Sequence, residues 1–313
     1  MKRIATTLAS LTLFSAAHAD VDLKTPAIDG VVAAGTKIEF IRDGFEGTEG
    51  PLGLPDGSLV FTETQANRIT RIAPDGSIST FLENSNGSNG LARLKNGDIV
   101  SVQTGKPSIG IVYPADRAAT LVDGFAGKPL NRPNDLVADT KGGIYFTDPG
   151  ARPAAGQPPV PTAVYYRSPA GKLSQIDTSI ARPNGIQLSP DEKTLYVANT
   201  AGEYIFAYDV AADGTASKRR NFAKLAGFKQ TENGWSSGAD GLAVDAQGRL
   251  YVASSEGIQI FSSKGAALGV IPLPKAPQNL AFAGKDRKTL YVVGRGAAYR
   301  IALLAEGPKT RAK

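Results

Sequence analysis

Six oxygen-bearing side chains occupy one repeated position in this chain: Glu49, Asn89, Asn134, Asn184, Asp240 and Asn279. Four of them stand eleven residues before the strand-like residues Val60, Val100, Tyr145 and Tyr251. The other two stand twelve residues before Tyr196 and Tyr291, where the intervening turn is one residue longer. Taken singly, Asn-Gly, Asn-Asp and Asp-Gly pairs are ordinary turn formers. Glu49 has little turn preference and fills the same slot, so a shared chemical role is the better account of the whole set. Two carboxylates and four amides brought to one place suit a hard divalent cation. Ca²⁺ is the best match, because it takes about six to eight oxygen ligands in flexible geometry. Mg²⁺, Mn²⁺ and Zn²⁺ are not separated from it by spacing. Without a cation or ordered water, so many converging oxygens would be costly to desolvate.

Something must carry these residues to one place, and the repeats say what. Each donor precedes a turn rich in Asp, Gly, Asn or Lys and then a short apolar or aromatic run. The six copies are "PDGSLVFTE", "KNGDIVSVQ", "TKGGIYFTD", "PDEKTLYVAN", "AQGRLYVAS" and "DRKTLYVVG", spaced 40 to 55 residues apart. Apolar stretches before each turn and hairpins after each run, such as "RITRIAPDGSISTFL", make four short strands per unit. Six four-stranded units predict an all-β, six-bladed β-propeller. The last unit lacks its outermost strand, while "GTKIEFIRDG" near the start is a strand without a unit. The N-terminal strand is therefore expected to complete the last blade and close the ring. The innermost strands surround the channel, which brings the six donors together at one end.

Composition limits the chemistry further. The chain of 313 residues has no Cys, and its one His is His18. That residue falls in "MKRIATTLASLTLFSAAHAD", where two basic residues, an apolar run and Ala17-His18-Ala19 have the form of a cleavable signal peptide, residues 1–19. The expected mature chain, residues 20–313, is a single propeller domain exported to a bacterial periplasm. It holds neither His nor Cys, which excludes Ser-His-Asp and Cys-His catalysis, His or Cys zinc sites and iron–sulfur clusters. No GxGxxG or GxxxxGK[ST] motif cradles a nucleotide, so no organic cofactor is expected. Outside the signal no apolar run is long enough for a membrane span. Removal of Lys2 and Arg3 leaves 33 basic against 29 acidic residues, and the densest basic run, "SKRR" at 217–220, reads as a solvated loop rather than a nucleic-acid contact.

The stretches "EGPLGLPDGSLVFTE", "RPNDLVADTKGGIYFTDP", "RPNGIQLSPDEKTLYVANT", "DGLAVDAQGRLYVA" and "KAPQNLAFAGKDRKTLYV" resemble the gluconolactonase/senescence-marker-protein (regucalcin-like) family, from about residue 37 to 303. The resemblance implies a six-bladed propeller with one divalent cation in the channel and hydrolysis of a sugar lactone. It implies that Glu49, Asn184 and Asp240 ligate the metal and that Asp240 is also the catalytic base. Asn134 is implied to contact substrate or metal, while Asn89 and Asn279 are ring members of less certain role. Arg132 and Arg182 would bind a ligand carboxylate or, the better reading, brace a loop. Trp235, the chain's one Trp, precedes the Asp240 motif; it either stacks on a sugar or simply packs. The Pro-rich insertion at 149–166 reads as a wall or lid. Rival readings are a metal-dependent phosphotriester or other ester hydrolase, and a non-catalytic ligand-binding propeller.

Overall fold

A run such as Leu59-Val60-Phe61 is apolar on both faces, and a strand of that kind must be covered on both sides. The computed structural model, which describes residues 23–151 and 160–310, shows how. Leu59 and Phe61 enter the core between the last blade and the first, while Val60 enters the core between the first and second. Ile144 and Phe146 likewise pack toward blade 2, and Tyr145 toward blade 4. Alternate residues of each second strand thus feed neighbouring cores, and six such cores fill the six gaps between blades.

Among the described residues the blades are six four-stranded antiparallel sheets. Their inner strands are Thr48–Gly53, Ser88–Arg93, Leu136–Ala138, Pro183–Leu188, Leu242–Val244 and Asn279–Ala283. Each inner strand touches the next, and the sixth touches the first. In blade 6 the outermost position is taken by Ile38–Arg42, paired antiparallel with Ala297–Ala302. The expected closure is therefore present, with Ile38 opposite Ile301. Residues 23–37 continue from this latch onto blades 5 and 6, where Ile28, Val31 and Val32 are buried.

The turns between first and second strands follow the Asp-Gly pattern. In blade 1 the Asp56 carboxylate accepts the Ser58 N–H at 3.0 Å, and Gly57 takes a left-handed φ of +88°. Blades 4 and 6 place Glu192 (φ 58°) and Arg287 (φ 55°) in that conformation instead. The expected signal segment lies outside the described residues, as do 152–159 of the Pro-rich insertion. Among the described residues no helix is long and apolar enough to cross a membrane.

Candidate metal and catalytic site

The six donors do sit at the start of the inner strands, but not in equivalent ways. Glu49, Asn89 and Asn184 are each the second residue of their strand. Pairing with the second strand slips at just these points, between Glu49 and Leu52, Ser88 and Leu91, and Pro183 and Ile186. Such bulges re-aim side chains next to functional sites. Asn134 and Asp240 lie two residues ahead of the strands they introduce, yet their backbones are already tied to the second strand. Asn134 N–H donates to Thr147 O at 2.8 Å, and Asp240 N–H to Ala253 O at 2.9 Å. Asn279 alone stands in regular register, opposite Val293.

The side chains divide accordingly. Asn279 is spent within the protein: its Nδ2 donates to Glu49 Oε2 at 3.1 Å, and its Oδ1 accepts Leu280 N–H at 2.9 Å. Gln278 Nε2 donates to Glu49 Oε1 at 3.4 Å, so blade 6 orients the Glu49 carboxylate. Asn184 Nδ2 donates to Thr200 Oγ1 at 3.0 Å, and that hydroxyl donates to Ala239 O at 2.7 Å. This fixes the amide's flip and leaves its oxygen turned away from Thr200. Asn184 Oδ1 and Asn89 Oδ1 are both buried without a hydrogen-bond partner. An amide oxygen left so costs about 1–3 kcal/mol. Here two occur at equivalent ring positions, beside carboxylates.

Asp240 is half-buried. Burial, then the charges of Glu49 and Asp135, push its pKa well above the ordinary aspartate value; Arg295 and Arg182 act in the opposite direction. Asp135 is the residue that sequence reasoning passed over. It is buried one step beyond Asn134, with Oδ1 accepting Leu136 N–H at 2.8 Å and Oδ2 accepting Ile186 N–H at 3.4 Å. The signal was the contrast of "RPND" with "RPNG". Thr200 was also missed, because its role shows only once the loop after the second strand is folded over Asn184.

Beside the ring, at the ends of the second strands, lies a set of anchors that was also unforeseen. Asp148 accepts the N–H groups of Asn131 and Arg132, each at 2.8 Å. Asn199 accepts Arg182 N–H at 3.1 Å, and Glu63 accepts Glu46 N–H at 2.9 Å. The Arg132 side chain is exposed; what the structure ties down is its backbone. Trp235 lies on a small hairpin, Lys229–Thr231 with Gly234–Ser236, on the ring side of the propeller. Its ring stacks on Phe228 at 5.2 Å and remains 57% exposed.

Among the described residues no three His, Cys, Asp or Glu side chains gather closely enough to hold a metal by themselves. Any cation here would depend on amide oxygens. The unpartnered oxygens of Asn89 and Asn184, with Glu49 and Asp240 alongside, are donors of the type a hard divalent ion takes.

Residues 47–295 match the SMP-30/Gluconolactonase/LRE-like region. The chain belongs to that family. Gluconolactonase of Zymomonas mobilis is 32% identical over 294 residues, covering 86% of this chain and 82% of the relative. A gluconolactonase structure from Xanthomonas campestris superposes with a TM-score of 0.78 at 28% identity, covering 91% and 96% of the two chains. Regucalcin of Agrobacterium tumefaciens, described as a calcium-binding protein, shares the fold with a TM-score of 0.72 at 18% identity, covering 87% and 95%.

Proposed function

We propose that the protein hydrolyses a sugar lactone at the ring, with one divalent cation, Ca²⁺ first among candidates, held by Glu49, Asn184 and Asp240. The observation that carries this reading is the pair of unpartnered amide oxygens beside two carboxylates. Lactone-hydrolysing relatives of like length support the reaction class, and the calcium-binding regucalcin structure supports the choice of ion. When bound, the cation would supply Lewis-acid stabilisation of the negative charge that develops on the lactone carbonyl oxygen.

The protein groups account for the rest. Asp240 acts as general base, taking a proton from the attacking water as its oxygen bonds to the carbonyl carbon. The ring C–O bond then breaks, and the proton passes to the departing ring oxygen, giving a hydroxy acid. Arg182 and Arg295 favour the ionised form of Asp240 that a base requires, as a cation held beside it would. Asn134 orients the substrate through its amide, and Asn279 and Gln278 keep Glu49 in place. Arg132 and Trp235, both exposed on the ring side, are the outer substrate contacts in this reading. The signal-like form of residues 1–19 supports export to a bacterial periplasm, which fractionation of a C-terminally tagged chain tests directly.

The deciding experiment strips the purified protein with chelator and assays aldonolactones with Ca²⁺, Mg²⁺, Mn²⁺ or Zn²⁺ restored. Turnover is expected to require a cation, and Asp240→Asn to lower kcat by about 10²–10⁴-fold. Full activity in the stripped protein, or in Asp240→Asn, overturns the mechanism.

A further inference from the structure

A cavity of about 550 Å³ opens at the other end of the channel from the ring. Its walls come from the C-terminal ends of the inner strands of blades 1, 2, 3 and 6, at Gly53, Arg93, Asp139 and Ala283, and from the tail at 307–310. The tail is bound there: Gly307 N–H donates to Arg287 O at 2.9 Å, and Gly307 and Pro308 are buried. Five cations line this space: Arg93, Lys95, Lys285, Arg287 and Lys309. Of these, only Lys309 has an ion pair among the described residues, at 3.5 Å to Glu306. The one carboxylate in the lining, Asp139, is engaged by the N–H groups of Lys141 and Gly143 at 2.9 and 2.7 Å.

Arg287 is the most telling member. It adopts a left-handed φ of 55° at the turn position where blades 1, 2, 3 and 5 use glycine. A non-glycine residue there is strained, and such strain persists where the surroundings hold it in place. Glu192 does the same in blade 4, but its carboxylate accepts both the N–H and the hydroxyl of Thr140, each at 2.9 Å. No comparable bond from the described residues holds the Arg287 guanidinium. Burial draws its pKa below the ordinary arginine value, and the charge of Glu306 offsets this only in part. Like charges gathered in a half-enclosed space repel one another, and the repulsion is relieved by an anion.

We propose that this cavity is a second binding site, distinct from the ring, for a compact multiply charged oxyanion: a small molecule carrying phosphate or several carboxylates. The volume fits a small-molecule site. The concave shape and the absence of an exposed aromatic in the lining, where Phe282 is 7% exposed, disfavour a nucleic-acid strand, which needs stacking platforms.

Isothermal titration of the full chain with glycerol 3-phosphate and with tricarballylate tests this, with glycerol and KCl at matched ionic strength as controls. Saturable binding of either anion, and of neither control, is expected; which anion binds tells phosphate from carboxylate recognition. The double variant Lys95→Ala/Lys285→Ala should weaken binding about tenfold or more, as loss of charge-assisted bonds requires. Arg287→Gly should do the same, deleting the guanidinium while giving the turn a residue that prefers its φ. Lactone turnover should be unchanged in both variants, which separates this site from the ring. Should Arg287→Gly fail to fold, the double variant decides alone. Anion heats no larger than those of glycerol and KCl, or binding that neither variant weakens, overturn the proposal.

Discussion

Blades 3 and 4 begin with the same tripeptide, Arg-Pro-Asn, and then part company at Asp135 and Gly185. In blade 4 a Cβ at residue 185 would collide with the Asp240 carbonyl, so only glycine lets blade 5 bring its carboxylate this near. In blade 3 that position carries the Asp135 side chain, a buried carboxylate whose charge acts on Asp240. The tripeptide itself serves the strand's entrance in both blades, through Asp148 in one and Asn199 in the other. One motif thus sets the path of the chain, and the residue after it decides whether the channel receives a charge or a close contact.

Gly185→Ala should have the largest effect, since blade 5 must move. Displacing a catalytic group by about 1 Å can cost about 10²-fold in rate, and overpacking about 1–3 kcal/mol in stability. Kinetics and urea denaturation measure the two losses, and wild-type turnover would show that glycine is not needed there. Thr200→Val comes next: it keeps the shape but frees the Asn184 amide. Divalent-cation affinity is expected to fall about 10–100-fold by calorimetry, in line with other groups that orient ligands. Asp135→Asn, which removes the charge and can keep the contact to Leu136 N–H but not the longer one to Ile186 N–H, should weaken the cation by only about 3–10-fold, one screened charge's worth.

At Glu63, blade 1's counterpart of Asp148, the expected effect is on stability. Desolvation raises its pKa, but Arg68, Thr70 and the Glu46 N–H outweigh this, and the net shift is downward. A carboxyl depressed in the folded state stabilises above its unfolded pKa of about 4.3, and that stability is lost as pH falls through the folded value. Glu63→Gln should therefore cost about 1–3 kcal/mol at pH 7, and the gap from wild type should close toward pH 3 in urea melts.

How much of this was legible beforehand follows from what kind of signal each feature leaves. The blades, the latch strand and the ring positions were readable because hydrophobic runs are periodic and donors can be counted back from them. The bulges at Glu49, Asn89 and Asn184 leave no such mark, so six donors that look alike in sequence separate in space. Asn279 has the right residue type, but its amide is consumed by Glu49 and Leu280. Thr200 belongs to a loop whose partner lies sixteen residues earlier. The basic cavity is assembled from turns and a tail far apart in the chain, and no local window contains it.

The latch between Ile38–Arg42 and Ala297–Ala302 sets a timetable as well as a boundary. The strand that completes the ring is made first, and its partner is made last. At about 5–20 residues per second, the early strand waits about 13–50 s with an unpaired edge. Until then blade 6 cannot be finished, and the core between blades 6 and 1 lacks one of its walls. Such long-range pairing slows folding and leaves a strand edge open to wrong partners. Arg42, Asp43 and Lys37, charged residues in and beside that strand, are well placed to keep it solitary while it waits.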